Sequence, residues 1–347
     1  MRVDVIPILE LSEGMKHRWL KFQDSNSNLT GPCFHPDLFL AVGKFCKDVY
    51  VAQIYDKDEL IGFLPYLRNQ EKSSAQTIDF CDYKAIIGPM SQCWNAEIIL
   101  KKIGLHSWDF NSLVDFKNIQ SQSGQIEARG AMRVDLRSGY ENYLLAKREV
   151  RIKFEGLARK KRLIESKFGP LRFVPMCQER KVMHRMLSWK SIRHNRDSAW
   201  TKLATDLLEH FCYSNQSSIN GVLSALYAEN ELLAVFFGMR HQGILHSLVC
   251  SYNPDFEKYS PGLILWKNLI AQHKELQYNI LDFGPSDHRY KRYFANSTLP
   301  IITGSFKEVT LKEEIKSVKW LYQGLRPIVQ MARGILPSVP HIIPKSN

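Results

Sequence analysis

The chain has 347 residues, 44% of them hydrophobic and 24% charged, and a formal net charge of +12 at pH 7. This length allows two globular domains, and the composition excludes a disordered or fibrous chain. The seven cysteines are odd in number and lack the spacing of a zinc motif, so we expect neither a disulfide framework nor a metal site. The positive charge predicts an anionic partner, but charge alone does not choose among phosphate-bearing small molecules, membranes and tRNA.

The beginning of the chain, MRVDVIPILELSEG, has no apolar core of signal-peptide length. No apolar run approaches the roughly 18 residues of a membrane-spanning helix. We therefore expect a cytoplasmic protein, which is peripheral at the inner face of the membrane if its basic surfaces contact lipid.

The first part of the chain has the periodicity of a mixed α/β protein. Its predicted elements are a strand over 3–9, a helix that carries Trp19, a helix entered at Pro36, a hairpin over 49–67, a helix over 96–103 and a strand that ends at Phe110. His35 precedes Pro36, which forces an extended residue before it. We expect His35 to bond to the backbone of a turn rather than to serve a site.

A second hairpin, over 222–240, repeats the pattern of the first. Aligning Tyr55 with Tyr227 gives an offset of 172 residues and also aligns the Glu-Leu pair that follows each turn. Farther along, Asp109 matches Asp282 at an offset of 173, and each is followed by Phe. Two agreeing offsets predict that one fold unit occurs twice in the chain.

A strongly basic segment separates the two copies. Residues 147–162 contain eight lysines and arginines and two acidic residues, and apolar positions from Val150 to Phe168 recur at helical spacing. The pattern predicts an amphipathic helix that ends at Gly169. Its cationic side is either a solvated face or a surface on which 159–162 meet a phosphate of an acceptor or of an anionic membrane. A tRNA-binding arm is a third reading, which the lack of interleaved aromatic residues disfavours.

The stretch from Gly243 to Phe294 reads as strand, loop, helix, strand, turn and helix. Ser260, Pro261 and Gly262 suit a helix start, because they supply a side-chain acceptor, a residue with no N–H to leave unpaired, and room for a ligand beside the backbone. The unpaired N–H groups and the positive end of the helix dipole would favour a phosphate or pyrophosphate there. The alternative is a helix cap without a ligand.

The next strand ends in Asp282-Phe283-Gly284, and a polar turn then leads to Tyr290-Lys291. Together with the Tyr-Asn-Pro turn at 252–254 and the Ser-Pro-Gly helix start, this pattern resembles the acyltransferases of the GNAT superfamily. The closest branch is grouped with the cellulose-biosynthesis protein CelD and the BioF2-like domain, and is similar to the FemAB peptidoglycan aminoacyltransferases. The resemblance implies an α/β fold of tandem GNAT-like halves, with mixed sheets flanked by helices.

The resemblance also divides the chain. We predict an N-terminal GNAT-like, non-catalytic half over residues 1–135, a basic helical connection over 136–215, a catalytic half over 216–310, and a C-terminal helix with a loose tail over 311–347. The second half is assigned the chemistry because the first copy lacks both the Ser-Pro-Gly helix start and the Tyr-Lys pair.

In this superfamily the loop after the fourth strand holds the pyrophosphate of acyl-CoA, and the strand itself lies beside the pantetheine. The resemblance therefore implies acetyl-CoA or another acyl-CoA as co-substrate, and no metal. The corresponding cofactor-binding residues are Val249, Cys250, Ser251, Tyr259, Ser260 and Gly262.

Four residues near the end of the repeat are candidates for the chemistry. Asp282 is predicted to accept a proton or orient the acceptor, and Asp287 is the second choice. Tyr290 would protonate the departing thiolate, and Lys291 would stabilise negative charge or bind an acceptor phosphate. The alternatives are a turn cap for Asp282 and a packed helix start for the Tyr-Lys pair.

Two further helices are predicted over 178–193 and 198–213. Between them Trp189, Arg193 and His194 are the candidate substrate-binding residues that the resemblance implies. A histidine near a helix end is more often a local cap.

The function that the resemblance implies is transfer of an acyl group, acetyl in the simplest case, from acyl-CoA to a hydroxyl or amine of a sugar in surface-polysaccharide or cell-envelope biosynthesis. The expected partners are a sugar or polysaccharide precursor and, at the basic surfaces, an anionic membrane or a polysaccharide synthase complex. Two alternatives stay open: a FemAB-like aminoacyltransferase that uses aminoacyl-tRNA, and a non-catalytic GNAT fold that serves as a scaffold in a polysaccharide synthesis complex.

Overall fold

A computed structural model describes residues 1–308 except 70, 72, 77–81, 122–125, 195–197 and 215–216, and it leaves the side chains of 193–194 and 198–200 undescribed. The first part of the chain forms β1 (Arg2–Pro7), α1 (Glu13–Ser25), α2 (Pro36–Phe45), β2 (Val49–Asp56), β3 (Glu59–Asn69), β4 (Ser74–Gln76), β5 (Trp94–Asn95), α3 (Ala96–Ile103), β6 (Ser107–Leu113), β7 (Ile119–Gln120) and β8 (Ile126–Asp135).

The second part forms α4 (Tyr140–Ala146), α5 (Arg148–Phe168), β9 (Leu171–Val174), α6 (Arg180–His194), α7 (Ser198–Tyr213), β10 (Asn220–Ala228), β11 (Glu231–His241), β12 (Ile244–Tyr252), α8 (Pro261–Ala271), β13 (Ile280–Asp282), α9 (Arg289–Phe294) and β14 (Ser297–Lys307). Sequence periodicity missed the short strand β9. The predicted C-terminal helix and tail lie outside the described residues. No helix in the described part of the chain is both long and apolar enough to cross a bilayer.

One mixed sheet of twelve strands runs through the described residues, in the order β1-β2-β3-β4-β6-β14-β8-β13-β12-β11-β10-β9. The left and right parts of this order mirror each other, which confirms the predicted α/β fold of tandem GNAT-like halves. The two hairpins even share a defect. The β2–β3 register shifts between Ile54 and Tyr55, and the β10–β11 register shifts between Leu226 and Tyr227, 172 residues later.

The last strand of each half belongs to the sheet of the other half. β8 pairs with β13 of the second half, and β14 pairs with β6 of the first half. β8 and β14 also pair with each other, and Arg129 lies opposite Ile301 at the same 172-residue offset. The local two-fold axis of the molecule therefore passes through this pair of exchanged strands.

Helices cover both faces of the sheet. On one face, α1, α2, α6 and α7 share a core that spans both halves and includes Trp19, Phe63, Met186 and Phe237. On the other face, α5 and α8 pack on the second half, and α3 packs on the first. The inward stripe predicted for the basic helix is confirmed, because Val150, Phe154, Leu157 and Ile164 of α5 are buried.

Candidate active site at the junction of the two halves

Strands β12 and β13 separate in the middle of the second half. They pair in parallel over three positions, from Ile244 opposite Ile280 to His246 opposite Asp282. β13 ends there, whereas β12 continues to Tyr252 alongside β11. Within the described residues no other strand takes the place of β13, so the two strands enclose a cleft.

A bulge in β12 lies where the cleft begins. Ser247 and Val249 stand opposite two adjacent residues of β11, so Leu248 is the extra residue. Because of the bulge, residues four positions apart in β12 lie on opposite faces of the sheet. Leu245 packs in the core beneath α8, whereas Val249 packs in the core on the opposite face. As a result, Cys250 and Tyr252 pack towards α8.

A cavity of about 520 Å³ occupies the α8 side of the cleft, a volume within the range of small-molecule sites. Its walls come from β12, from the loop before α8 and α8 itself, from the start of α9 and from α6. The lining residues are Lys190, Cys250, Tyr252, Glu257, Ser260, Gly262, Leu263, Trp266, His288 and Tyr290.

The start of α8 forms one end of this cavity. Ser260 has a φ of +57°, and its carbonyl accepts the first bonds of the helix from Leu263 and Ile264 at 3.1 and 3.2 Å. The predicted side-chain cap is wrong: the Ser260 hydroxyl makes no capping bond and instead accepts a 2.6 Å bond from Nζ of Lys160 on α5. A lysine therefore reinforces the positive end of the helix.

Gly262 keeps that end accessible. A β-carbon at this position would lie 3.3 Å from the ring of Tyr252, which is tighter than an ordinary contact. Among the described residues no hydrogen-bond partner is present for its N–H. Backbone and ligand can approach each other closely here.

A second cavity, of about 440 Å³, continues from Ser260 and Leu263 towards α5. Lys153, Lys160 and Tyr293 are among its lining residues, and the Lys153 ammonium lies 4.9 Å from the Tyr293 ring centre. The two cavities thus form one trench, with the cationic helix start in its middle.

Tyr290 closes the inner part of the larger cavity. Its ring stacks on Trp266 at 6.1 Å and on His288 at 5.9 Å. Burial, with a smaller contribution from Cys250, raises the pKa of the Tyr290 hydroxyl well above its usual value, so this group is protonated at neutral pH.

A chain of charged side chains lies at the same junction and ties the two halves together. His246 of β12 is 1% exposed, and its Nε2 lies 3.0 Å from Asp82 while its Nδ1 lies 3.5 Å from Asp282. The Asp282 carboxylate accepts bonds of 2.8 Å from Arg133 of β8 and 2.7 Å from the Tyr83 hydroxyl. Asp82, with 36% of its side chain exposed, is the end of this array that reaches solvent.

The array fixes the protonation of its buried members. Burial raises the pKa of the Asp282 carboxyl, but the Arg133 guanidinium and the His246 ring outweigh burial and hold that pKa well below its usual value. Burial lowers the pKa of His246, whereas Cys33 and the two carboxylates raise it, and the net pKa is well above its usual value. The array is therefore a cationic imidazole between two carboxylates, and Asp282 is a permanent hydrogen-bond acceptor rather than a free base.

Lys291 packs next to this array from α9. It is 4% exposed, and its Nζ donates to the Phe283 carbonyl at 2.5 Å and to the Ser286 hydroxyl. Burial lowers the pKa of Lys291 to about 8, against the opposing effect of the Asp82 and Asp282 charges. Gly284 leaves room for Asp82, because a β-carbon there would lie 2.7 Å from the Asp82 carboxylate.

Comparison with known proteins finds one family model that matches part of the chain. Residues 153–292 match a sequence model described as "Acetyltransferase (GNAT) domain". In its second half the chain is similar to a GNAT domain. Among solved structures, FemX superposes with a TM-score of 0.52 at 10% identity, over 91% of this chain and 99% of FemX.

Two further structures resemble the chain less closely. A tandem GNAT protein from the clavulanic acid biosynthesis pathway gives a TM-score of 0.48 at 8% identity, over 88% of this chain and 99% of that one. L-PGS from Bacillus licheniformis gives 0.43 at 9% identity, over 90% and 96%. No curated protein sequence matches this chain significantly. At 10% identity, the likeness to FemX shows the fold alone.

The region that matches the GNAT model brings together four of the residues predicted for the cofactor and the chemistry. They are Cys250, Ser260, Gly262 and Tyr290, which line the larger cavity. Val249, Ser251 and Tyr259 are buried and do not line the cavity. Val249 packs in the core on the opposite face of the sheet, whereas Tyr259 packs in the core beneath α8. Asp282 and Lys291 lie at the charged array, whereas the exposed Asp287 pairs with Arg292.

The three predicted substrate-binding residues lie on α6. The Trp189 side chain is 7% exposed and packs in the core shared by both halves. Arg193 and His194 end the helix, and their side chains lie outside the described residues. His35 is a local cap, as predicted: its Nδ1 accepts a 3.1 Å bond from the Asp37 N–H.

Sequence reasoning missed Asp82, Tyr83, Arg133 and His246. Asp82 and Tyr83 follow a stretch with no recognisable motif, and Arg133 is one of many basic residues in the chain. His246 carried a weak signal, because it is a single polar residue near the start of an apolar strand.

No group of His, Cys, Asp and Glu in the described residues could hold a metal ion.

Proposed function

We propose that this protein is an acyltransferase that moves an acyl group, acetyl in the simplest case, from acyl-CoA to a hydroxyl or amine of a sugar during surface-polysaccharide or cell-envelope assembly. The observation that carries the proposal is the cleft between β12 and β13, which leads from the charged array to the cationic start of α8. An acyl-CoA donor, whose pyrophosphate lies between the pantetheine arm and the nucleotide, fits this trench.

The donor would bind along the trench. Its pyrophosphate meets the N–H of Gly262 and the Lys160 ammonium, since both face the helix start. The pantetheine arm extends through the larger cavity along β12, and the nucleotide extends towards Lys153 and Tyr293. Backbone N–H groups of β12 beyond His246, on the edge that faces the cleft, would bind the thioester carbonyl oxygen as it becomes an oxyanion.

The acceptor would approach from the opposite side of the cleft, where Asp82 reaches solvent. Its hydroxyl or amine attacks the thioester carbonyl, a C–O or C–N bond forms, the C–S bond breaks, and the proton passes to the Asp82 carboxylate. His246 holds that carboxylate in place, Asp282 holds His246, and Arg133 holds Asp282. Tyr290 donates a hydrogen bond to the departing thiolate, because its raised pKa makes complete proton transfer unfavourable.

Calorimetric titration with acetyl-CoA and with free CoA tests this function. We expect saturable binding to the wild type, and loss of binding in Gly262→Trp, whose side chain would fill the helix start. Gly14→Trp, at an exposed position of α1 with open space around it, is the matched control and should bind as the wild type does. Wild-type protein that binds neither compound at millimolar concentration contradicts the proposal.

A second candidate function follows from the same basic trench. Lys153 and Lys160 would equally suit the phosphates of an aminoacyl-tRNA, the donor of a FemAB-like aminoacyltransferase. Transfer activity that RNase abolishes, in a protein that does not bind CoA, would favour this candidate.

A further inference from the structure

The outward side of α4 and α5 exposes aliphatic side chains that the core does not use. The buried stripe of α5 faces inward, yet Leu145, Ile152 and Leu163 are 75%, 58% and 45% exposed. Isolated apolar residues on a surface are common and need no explanation. The arrangement of these three, and the charges around them, distinguish them from isolated residues.

Leu145 and Ile152 line one groove of about 460 Å³ between the two helices, together with Arg148 and Arg151. Positions 148, 152, 159 and 163 follow at intervals of 4, 7 and 4 along α5, which places them on one side of the helix. This α4–α5 face, defined by Leu145, Arg148, Ile152, Arg159 and Leu163, therefore alternates aliphatic and arginine side chains.

The charge of the α4–α5 face is positive. α5 has the sequence REVRIKFEGLARKKRLIESKF, with eight basic and three acidic residues. Glu155 and Glu165 pair within the helix with Arg151 and Lys161, at 3.6 and 3.7 Å. The remaining arginines give the face a strong excess of positive charge.

We propose that the α4–α5 face docks on the surface of an anionic lipid bilayer. A helix that lies in the membrane interface combines basic residues, which are attracted to lipid phosphates, with aliphatic residues that enter the boundary of the acyl region. The exposed residues Leu145, Ile152 and Leu163 match this pattern and would be unused on a nucleic acid, where aromatic side chains stack on bases.

The position of the face gives docking a consequence. Ile152 lines both the α4–α5 groove and the cavity that contains Lys153 and Lys160, and that cavity meets the donor cavity at Ser260. Docking thus brings the trench to the bilayer surface, where a membrane-anchored acceptor would be found. The inference does not depend on the proposed chemistry, because vesicle binding requires neither donor nor acceptor.

Cosedimentation of the full chain with vesicles tests the proposal. We expect binding to phosphatidylcholine vesicles that contain phosphatidylglycerol, and much weaker binding to phosphatidylcholine alone. The pair Arg148→Gln and Arg159→Gln should lower the partition coefficient about 30-fold, since each basic residue near the surface contributes roughly a fivefold factor. The pair Leu145→Ser and Ile152→Ser should lower it about tenfold.

Helix α3 supplies matched controls, because its exposed Ile98, Lys101 and Lys102 repeat the chemistry on another surface. Ile98→Ser and the pair Lys101→Gln and Lys102→Gln should sediment as the wild type does, and all variants should unfold at similar temperatures. The proposal is overturned if the wild type sediments equally with charged and uncharged vesicles. It is also overturned if both the arginine pair and the aliphatic pair of substitutions leave vesicle binding at the wild-type level. Retention of tRNA that the arginine pair abolishes and the aliphatic pair does not would assign the face to nucleic acid instead.

Discussion

The equivalent gap in the sheet is open in the second half and filled in the first half. In the second half β12 and β13 separate and leave a cleft. In the first half, residues 84–87 fill the equivalent place, because Lys84 bridges to Leu113 of β6 and Ile87 bridges to Phe63 of β3. Trp94 closes it further, since a β-carbon at Gly62 or Gly88 would lie 2.4 or 2.5 Å from its ring.

The helices that follow the two gaps also differ, because the start of α3 is capped by a side chain and the start of α8 is not. At the start of α3 the Asn95 side chain accepts a 2.8 Å bond from the Ile98 N–H and satisfies the helix end. At the start of α8 the Ser260 side chain makes no such bond and contacts a lysine. A helix end that caps itself has little need of an anion, whereas one that does not cap itself can receive a phosphate.

The charged array has no counterpart at the repeat-related positions. Asp282 is buried opposite Arg133 of β8, whereas its equivalent Asp109 is exposed opposite Ser305 of β14. In the first half the corresponding gap is filled, and this half contributes Asp82, Tyr83 and Arg133 to the candidate site of the second half. Repeat-related pairs of residues therefore make matched controls.

The largest effect is expected from Asp82→Asn, which removes the proposed proton acceptor and keeps the shape. Incorporation of labelled acetyl groups from acetyl-CoA into a cell-envelope extract should fall by roughly 10²–10⁴-fold, while calorimetric binding of acetyl-CoA stays unchanged. Asp109→Asn, the exchange at the position related to Asp282 in the first half, should leave both quantities unchanged. Incorporation by Asp82→Asn within about threefold of the wild type would remove Asp82 from the mechanism.

Next in size is the stability effect of Asp282→Ala. The exchange leaves Arg133 and a cationic His246 buried without their shared carboxylate, so the free energy of unfolding should fall by about 3–5 kcal/mol in urea titrations. Asp109→Ala, on the exposed side of β6, should change it by less than about 0.5 kcal/mol. Equal losses of unfolding free energy in Asp282→Ala and Asp109→Ala would show that the two aspartates contribute equally to stability and would contradict this prediction.

Lys160→Gln should weaken acetyl-CoA binding about tenfold, because it removes one charge-assisted contact at the start of α8. Lys102→Gln, near the end of the repeat-related helix α3, is the control and should have no effect. Calorimetry at two salt concentrations checks the cause, since the difference between wild type and Lys160→Gln should shrink at high salt. A Kd for acetyl-CoA that is unchanged in Lys160→Gln would place the anion elsewhere.

The smallest effect concerns pH. The folded-state pKa of His246 is raised, so its stabilising contribution is complete below its unfolded value of about 6.5 and is lost as pH rises through the folded value. The difference in unfolding free energy between wild type and His246→Gln should therefore narrow by about 1.4 kcal/mol per pH unit within that window. The comparison cancels the opposite trend of Lys291, whose pKa is lowered to about 8. A difference that is constant from pH 6 to 10 would show that His246 is neutral.

Sequence periodicity and the repeat offset predicted an α/β chain in which one fold unit occurs twice. The Tyr55–Tyr227 offset coincides with the register shift that the two hairpins share, because the local sequence determines the turn. The helix start at Pro261 was also predictable, since its signals are contiguous. The role of the Ser260 side chain was not, because the lysine that binds it comes from a helix 100 residues earlier.

The charged array was beyond prediction for the same reason. Tyr83 and Asp282, whose side chains meet at 2.7 Å, are 199 residues apart in the chain. Asp282 is a fixed hydrogen-bond acceptor and Asp82 reaches solvent because the two carboxylates differ in burial and in their distance from Arg133. Neither difference can be read from the sequence.

The exchange of β8 and β14 bears on how the chain is made. β6 acquires its second neighbour only when residues 297–307 arrive, after nearly the whole described chain has been synthesised. Until then the growing first half has an exposed sheet edge, of the kind that pairs with other chains and recruits chaperones. Each half therefore matures last at its border with the other, and a truncation that removes β14 would leave the first half unfinished.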